Sequence, residues 1–161
     1  TFLEMNERPS AMAPVPRGKV AIIRAEHPPV HFYRYLYDTI GRDYFLVDRK
    51  KIDDKQLAVI IQDPSVELYV LYVDGNPAGM AELDFRRDGI GQLAYFGLMP
   101  EFVGRGLGVF FLHQADLLAW SKPITKLLVN TCTLDHPRAL PMYQLAVYVP
   151  YAREDRYIEL P

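Results

Sequence analysis

Two turn signals constrain this chain more than any other feature. Asp74-Gly75-Asn76 and Asp88-Gly89 divide the stretch 67–99 into three short, largely apolar runs at 67–73, 78–86 and 92–99. Strands this close in sequence pair antiparallel, because a parallel neighbour needs a crossover of about a dozen residues. A uniformly wound parallel sheet is therefore excluded. Helical and strand signals flank the trio on both sides. Val20-Ala21-Ile22-Ile23 is a β-branched run. Residues 31–40 put Phe32, Tyr35, Leu36 and Thr39 at helical spacing before a Gly41 stop. Asp53-Asp54 opens a second helix with Leu57, Ile60 and Ile61 on one face. Residues 109–120 lack Gly and Pro and align Phe111, Ala115 and Leu118. A strand at 126–132 follows, then a short helix with Pro137 in its first turn, running to about 146. The pieces 147–151 and 156–160 read as a closing hairpin. The expected class is α/β (α+β): a mixed, mostly antiparallel central sheet with helices on both faces.

The length of 161 residues suits one domain. Residues 1–18 carry Pro9, Pro14 and Pro16 without apolar periodicity, so a flexible arm is expected there and the domain at 19–161. Eighteen basic against twenty acidic residues leave a net charge of −2, which argues against the concentrated basic face of a nucleic-acid binder. The single cysteine, Cys132, excludes an internal disulfide and reads as a small buried residue rather than a nucleophile. His27, His31, His113 and His136 lack metal-ligand spacing, so no metal site is expected. No apolar run nears the roughly 20 residues that span a bilayer, and the start has no apolar leader core, which points to a cytoplasmic protein.

The segment 95–108 carries the chemistry. A strand ends near Met99, and Gly104, Gly106 and Gly108 then lead into a helix whose first N–H groups and positive dipole end favour an anion. Glycines let a phosphate approach the backbone, and Arg105 adds charge, so a pyrophosphate is the natural guest. The alternative is a glycine turn that binds nothing. The dinucleotide fingerprint fails because Val109 stands where its last glycine is needed, and the P-loop fails because Gly108 is followed by Val109 and Phe110.

Val103-Gly104-Arg105-Gly106-Leu107-Gly108 resembles the acetyl-CoA loop of the GNAT superfamily of N-acetyltransferases, Q/R-x-x-G-x-G/A, with Val103 in place of the leading Gln or Arg. The stretch from Asn130 to Tyr151 resembles the family's last signature, a strand-end Asn leading to a helix with a Tyr. Val147 and Tyr148 replace its usual Gly-Phe. The order of elements matches over about residues 19–161. The resemblance implies acetyl-CoA as co-substrate and no metal. Its pyrophosphate would sit on Val103 to Val109, and its pantetheine arm would pair with Phe96, Gly97, Leu98 and Met99. Asn130 would orient the pantetheine amide or Tyr143. It further implies N-acetylation of a primary amine by direct attack in a ternary complex, with Tyr143 as general acid on the thiolate and the Leu98 N–H stabilising the carbonyl oxygen.

Strand alternation puts Glu82 and Asp84 on one face and Ala81, Leu83 and Phe85 on the other. Like charges on a partly dry face raise at least one pKa, which suits Glu82 as general base; the plain alternative is a solvated strand face. The resemblance implies that the loop between the first helices lines the acceptor site, which makes Tyr33, Tyr37 and Tyr44 candidates for shaping an aromatic acceptor pocket; Asp84 is a further candidate for contact with the acceptor. The expected partner is a small-molecule amine or amino-acid-like acceptor, with no nucleic acid and no membrane. Family members often form homodimers. A non-catalytic acyl-CoA-binding or regulatory module on the same fold, and an interaction domain with an idle glycine turn, are the competing readings.

Overall fold

The computed structural model describes residues 2–9, 14–41, 48–130 and 149–152. Its centre is the predicted double hairpin: β3 (Val66–Val73), β4 (Asn76–Asp84) and β5 (Ile90–Leu98), antiparallel in turn. Asp74 and Gly75 take the left-handed conformation at φ 50° and 82°, the backbone that matches a two-residue turn to the twist of its strands. β2 (Val20–Ala25) extends the sheet beyond β3. On the other side α3 (Leu107–Trp120) crosses over to β6 (Lys126–Asn130), which runs parallel to β5. With β1 (Phe2–Met5) and β7 (Val149–Ala152) the sheet has, among the described residues, seven strands, ordered β2-β3-β4-β5-β6-β1-β7.

Period-2 alternation sends the two faces of this sheet into separate cores. Leu68, Val70 and Met80 meet Tyr33, Leu36, Tyr37 and Ile40 of α1 (Val30–Gly41) and Leu57 and Ile61 of α2 (Asp54–Ile61). Leu71, Val73, Ala81, Leu83 and Leu93 face the opposite way, onto Leu107, Phe111, Leu112, Ala115 and Ala119 of α3. The expected mixed sheet with helices on both faces is thus present. α2 starts where Asp53 predicts, on a capping box: the Gln56 N–H donates to Asp53 Oδ1 at 2.8 Å and the Asp53 N–H to Gln56 Oε1 at 3.2 Å. α1 includes Gly41, and α3 begins two residues before Val109, at Leu107.

The expected arm needs correction at residues 2–5. They form β1, antiparallel to both β6 and β7, with Leu3 opposite Val129 and Met5 opposite Leu127. Leu3 and Met5 are buried while Glu4 reaches toward Lys126 at 3.6 Å. Phe-Leu-Glu-Met is itself an alternating strand sequence, masked in the reading by the prolines that follow it. The short helix near 137–146, the segment 156–160 and the residues Tyr44, Cys132, His136, Tyr143 and Val147 lie outside the described residues. No described helix is long and apolar enough to cross a membrane.

Candidate active site

Beyond Gln92, which sits opposite Leu128, no described residue of β5 pairs with β6, although β5 continues to Leu98 and β6 to Asn130. The two parallel strands part there and open a cleft. The Met99 N–H is spent on the Ala78 carbonyl of β4 at 2.8 Å, so alternation turns the Leu98 N–H to the opposite edge, toward the cleft. The side chains of Phe96 and Met99 do not serve the cleft. Phe96 packs on Phe111 at 5.2 Å between ring centroids, and Met99 is buried against α1 and α2. What this strand offers a ligand is backbone.

From Met99 the chain makes a 3₁₀ turn at Pro100–Phe102 and passes Val103 to Gly104 and Gly106, both left-handed at φ 84° and 74°. A Cβ on either glycine would meet nothing within 4 Å, so these positions need glycine for backbone conformation while the space above them stays open. Gly106 is the N-cap of α3 and provides no side-chain acceptor for its first N–H groups. Gly108, the third glycine of the pattern, lies inside the helix. Leu107 is buried as an anchor, and Val103 and Val109 are exposed on either side of the turn. The Arg105 guanidinium lies over the Phe102 ring at 5.3 Å. An uncapped terminus of a 14-residue helix behind two open glycines fits a diphosphate. Among the described residues no cluster of His, Cys, Asp or Glu is placed to hold a metal ion.

Glu82 lies on the α1 face of β4, as alternation predicts, and is fully buried. Tyr33 Oη donates to its Oε1 in a short hydrogen bond, and Arg49 Nη2 donates to its Oε2 at 2.8 Å. Burial pushes the Glu82 carboxyl above its ordinary range against the pull of Arg49 and the Tyr33 hydrogen bond; Asp84 adds only the smallest contribution. The like-charge cause expected from the sequence is therefore corrected to desolvation. Asp84 shifts the other way. Although burial opposes its charge, hydrogen bonds from Arg86 outweigh it, the guanidinium holding the carboxylate at 3.0 and 2.7 Å. Burial and the Glu82 charge push the Tyr33 phenol up. Burial works against the Arg49 charge, yet the carboxylate of Glu82 raises its pKa further.

Tyr33 and Tyr37 are both buried, so they line Glu82 and Arg49 and present no open wall. Tyr37 Oη accepts the Arg49 N–H at 3.2 Å. The Arg49 carbonyl accepts from Arg34 Nη1 at 3.1 Å, and Arg34 also holds the Ile52 carbonyl at 2.8 Å and Asp54 at 2.9 Å. The Arg49 guanidinium stands over the Tyr95 ring at 5.1 Å. Sequence reasoning missed both arginines. The usable signal was the i, i+4 pair Tyr33 and Tyr37, which brings two hydroxyls to one side of α1. The structure thus brings Glu82, Tyr33 and Tyr37 together and places Asp84 apart in its own ion pair. Asn130 ends β6 at the open side of the cleft, and Tyr143 lies outside the described residues.

Solved structures share this fold. The aminoglycoside N-acetyltransferase AAC(6′)-Iy in complex with CoA superposes with a TM-score of 0.66 at 17% identity, covering 90% of this chain and 98% of its own. A ribosomal-protein-alanine N-acetyltransferase from Brucella melitensis biovar Abortus 2308 gives 0.61 at 16% identity, over 88% and 100%. An aminoglycoside acetyltransferase, meta-AAC0020, from an uncultured soil metagenomic sample gives 0.64 at 13%, over 88% and 97%. No curated protein sequence matches significantly. Residues 31–146, most of the chain, match the model of the acetyltransferase (GNAT) family, and with the parted strands and the glycine-led helix already in place, the chain belongs to that family.

Proposed function

We propose that this chain transfers the acetyl group of acetyl-CoA to a primary amine by direct attack within a ternary complex. The observation that carries the reading is the parting of β5 from β6 beside an uncapped, glycine-led helix terminus. Gly104, Gly106 and the first turn of α3 would hold the diphosphate, and the backbone of Phe96 to Leu98 would pair with the pantetheine arm. Acetyl-CoA supplies the thioester carbonyl. The Leu98 N–H, aimed into the cleft, would stabilise charge on its oxygen. Glu82 takes the proton of the attacking ammonium. A carboxylate has about four acceptor positions, and Tyr33 and Arg49 use two of those on Glu82. Burial raises its pKa above the ordinary carboxylate range, the direction that makes a carboxylate a stronger base. Tyr143, at the position of the family's acid, would return a proton to the departing thiolate.

The test begins with thermal unfolding in acetyl-CoA, with NAD and ATP as controls. Ligand at 100 times its Kd adds about 2.7 kcal/mol, a rise of roughly 5–11 °C for a chain of this size. A rise with acetyl-CoA alone, followed by amine-dependent release of CoA that Glu82→Gln lowers at least tenfold, supports the reading; no rise at millimolar acetyl-CoA removes it. The sealed carboxylate favours one alternative, a non-catalytic acyl-CoA-binding module. In that case Glu82→Gln and Tyr143→Phe keep affinity, and no amine releases CoA.

A further inference from the structure

The ion pair between Arg49 and Glu82 is an unusual neighbour for a base. Arg49 is rooted by Tyr37 and Arg34 through its own backbone, so its guanidinium reaches Glu82 from a fixed point. It is also incompletely used. Its Nε is buried and, among the described residues, has no hydrogen-bond partner, although a guanidinium offers five donors in a fork that suits a carboxylate. Two further arginines, Arg86 and Arg87, line an open depression of about 330 Å³ with Asp84, Ile90 and Gln92. Asp84 is two residues from Glu82 on the same strand face, and its carboxylate is already committed to Arg86. Among the described residues, both carboxylates of this strand face are therefore already paired to arginines, and the unused donor beside Glu82 is the Arg49 Nε.

We propose that the acceptor is a zwitterionic α-amino acid and that Arg49 is the residue that binds its carboxylate, releasing Glu82 as Glu82 takes the ammonium. The proposal rests on the acetyl-transfer reading of the site. The ion pair of the free protein is the complement of such a ligand. One oppositely charged contact becomes two, and no buried charge is left alone at any stage. An amine without a carboxylate could use an acceptor position that Arg49 and Tyr33 leave on Glu82, but it would put a second cation beside the guanidinium with one carboxylate to serve both. A polycationic acceptor would find the Glu82 and Asp84 carboxylates already paired to Arg49 and Arg86. In the transfer step an N–H bond of the ammonium breaks and its proton passes to Glu82. The amine nitrogen then bonds to the acetyl carbon, the C–S bond breaks, the thiolate takes a proton from Tyr143, and the second proton shed by the nitrogen as the neutral amide forms restores the Tyr143 phenol. Loss of Arg49 from the carboxylate strengthens Glu82 as a base at the moment the ammonium arrives.

The experiment uses the full chain with saturating acetyl-CoA and measures release of the CoA thiol. Each standard L-amino acid is compared with its primary amide, and kanamycin serves as a polycationic acceptor. The best free amino acid should exceed its amide about 10- to 100-fold in kcat/KM, the worth of a charge-assisted contact. Arg49→Gln should bring that ratio toward one through KM for the free acid, and Arg49→Lys, which keeps the charge and guards against misfolding, should recover part of it. An amide or kanamycin used as well as any free acid, or a preference that survives Arg49→Gln, overturns the assignment. The underlying reading fails separately. If Glu82→Gln leaves kcat intact while the preference for free acids persists, Glu82 is not the base and Arg49 keeps its role. If no acceptor releases CoA, thermal stabilisation by amino acids in the presence of CoA decides. Stabilisation lost in Arg49→Gln supports the carboxylate site without catalysis, and no stabilisation by any amino acid removes it.

Discussion

Gly79→Ala tests whether the β5 edge that carries the Leu98 N–H is set by how closely β4 approaches it. A Cβ at Gly79 would lie 2.8 Å from the Gly97 carbonyl oxygen, 2.9 Å from Leu98 Cδ2 and 3.3 Å from Phe111 Cε2. A carbon–oxygen contact settles at about 3.3 Å or more, so β5 has to move by about half an ångström. The nearest obstacle is backbone and cannot rotate away. Overpacking of this kind costs about 1–3 kcal/mol, and the lower entropy of an unfolded alanine offsets about 0.4–1 kcal/mol of it. A net loss of about 0–2.6 kcal/mol lowers Tm by up to roughly 10 °C in a chain of this length. The same shift moves the Leu98 N–H relative to the thioester. Since about 1 Å of misplacement can cost on the order of a hundredfold, kcat should fall by about tenfold.

The control lies on the same strand before it leaves β6. At Gly91 an added Cβ meets only the ends of flexible side chains: Phe85 Cε1 at 3.1 Å, Ile124 Cδ1 at 3.2 Å and Leu127 Cδ1 at 3.4 Å. Gly91→Ala should therefore cost less stability than Gly79→Ala and leave kcat unchanged. Differential scanning fluorimetry and CoA-release kinetics read both variants. If Gly79→Ala matches Gly91→Ala in Tm and in kcat, the close approach does not set the edge, and the argument for Leu98 as the oxyanion donor loses its geometric support.

Three other outcomes follow from the same physical reasoning. Leu3→Ala should cost about 2–5 kcal/mol in urea unfolding, as for a core leucine; a loss below about 0.5 kcal/mol would mean that β1 is not seated between β6 and β7 in solution. Gly106→Ala should lose about 1–2 kcal/mol although its Cβ meets no atom, because φ 74° is strained for any L side chain; no loss would show that the turn adapts. For Glu82 the sign is set by its raised folded-state pKa. The folded protein holds that proton more tightly than the unfolded chain, so this group makes stability fall as pH rises from the ordinary carboxylate range through the raised value. Asp84, held below its usual range by Arg86 after burial has opposed the shift, acts oppositely and loses its contribution on acidification. The difference in unfolding free energy between wild type and Glu82→Gln isolates the first slope, and a difference that stays constant with pH would falsify it.

The parts of the fold legible in the sequence are those whose cause is local. Asp74-Gly75 specifies its turn by φ alone, and Asp53 with Gln56 closes its capping box within four residues. The glycine turn into α3 is equally local, which is why an anion site could be read at Gly104 and Gly106 without any tertiary information. β1 is the opposite case. Four residues offer two alternations of pattern, and both partners of Phe2–Met5 lie in the C-terminal part of the chain. The alternation of residues 2–5 marks a strand but names no partner for it.

The same distinction explains the half-read site. Glu82 could be assigned to a face because strand alternation is a local rule, but the cause of its perturbed pKa could not, because desolvation is supplied by α1 and by Arg49 across the tertiary fold. Asp48-Arg49-Lys50-Lys51 has the composition of a solvated charge run, and Lys50 and Lys51 are indeed exposed. Arg49 is drawn inward by Glu82 and fixed by Tyr37 and Arg34, residues 12 and 15 positions away. The net charge of −2 is for this reason silent about the acceptor. On the proposed reading an acceptor meets a local balance, in which both carboxylates of the β4 face are already paired to arginines. A ligand that brings its own carboxylate satisfies that balance, whereas one that brings only positive charge has to break it.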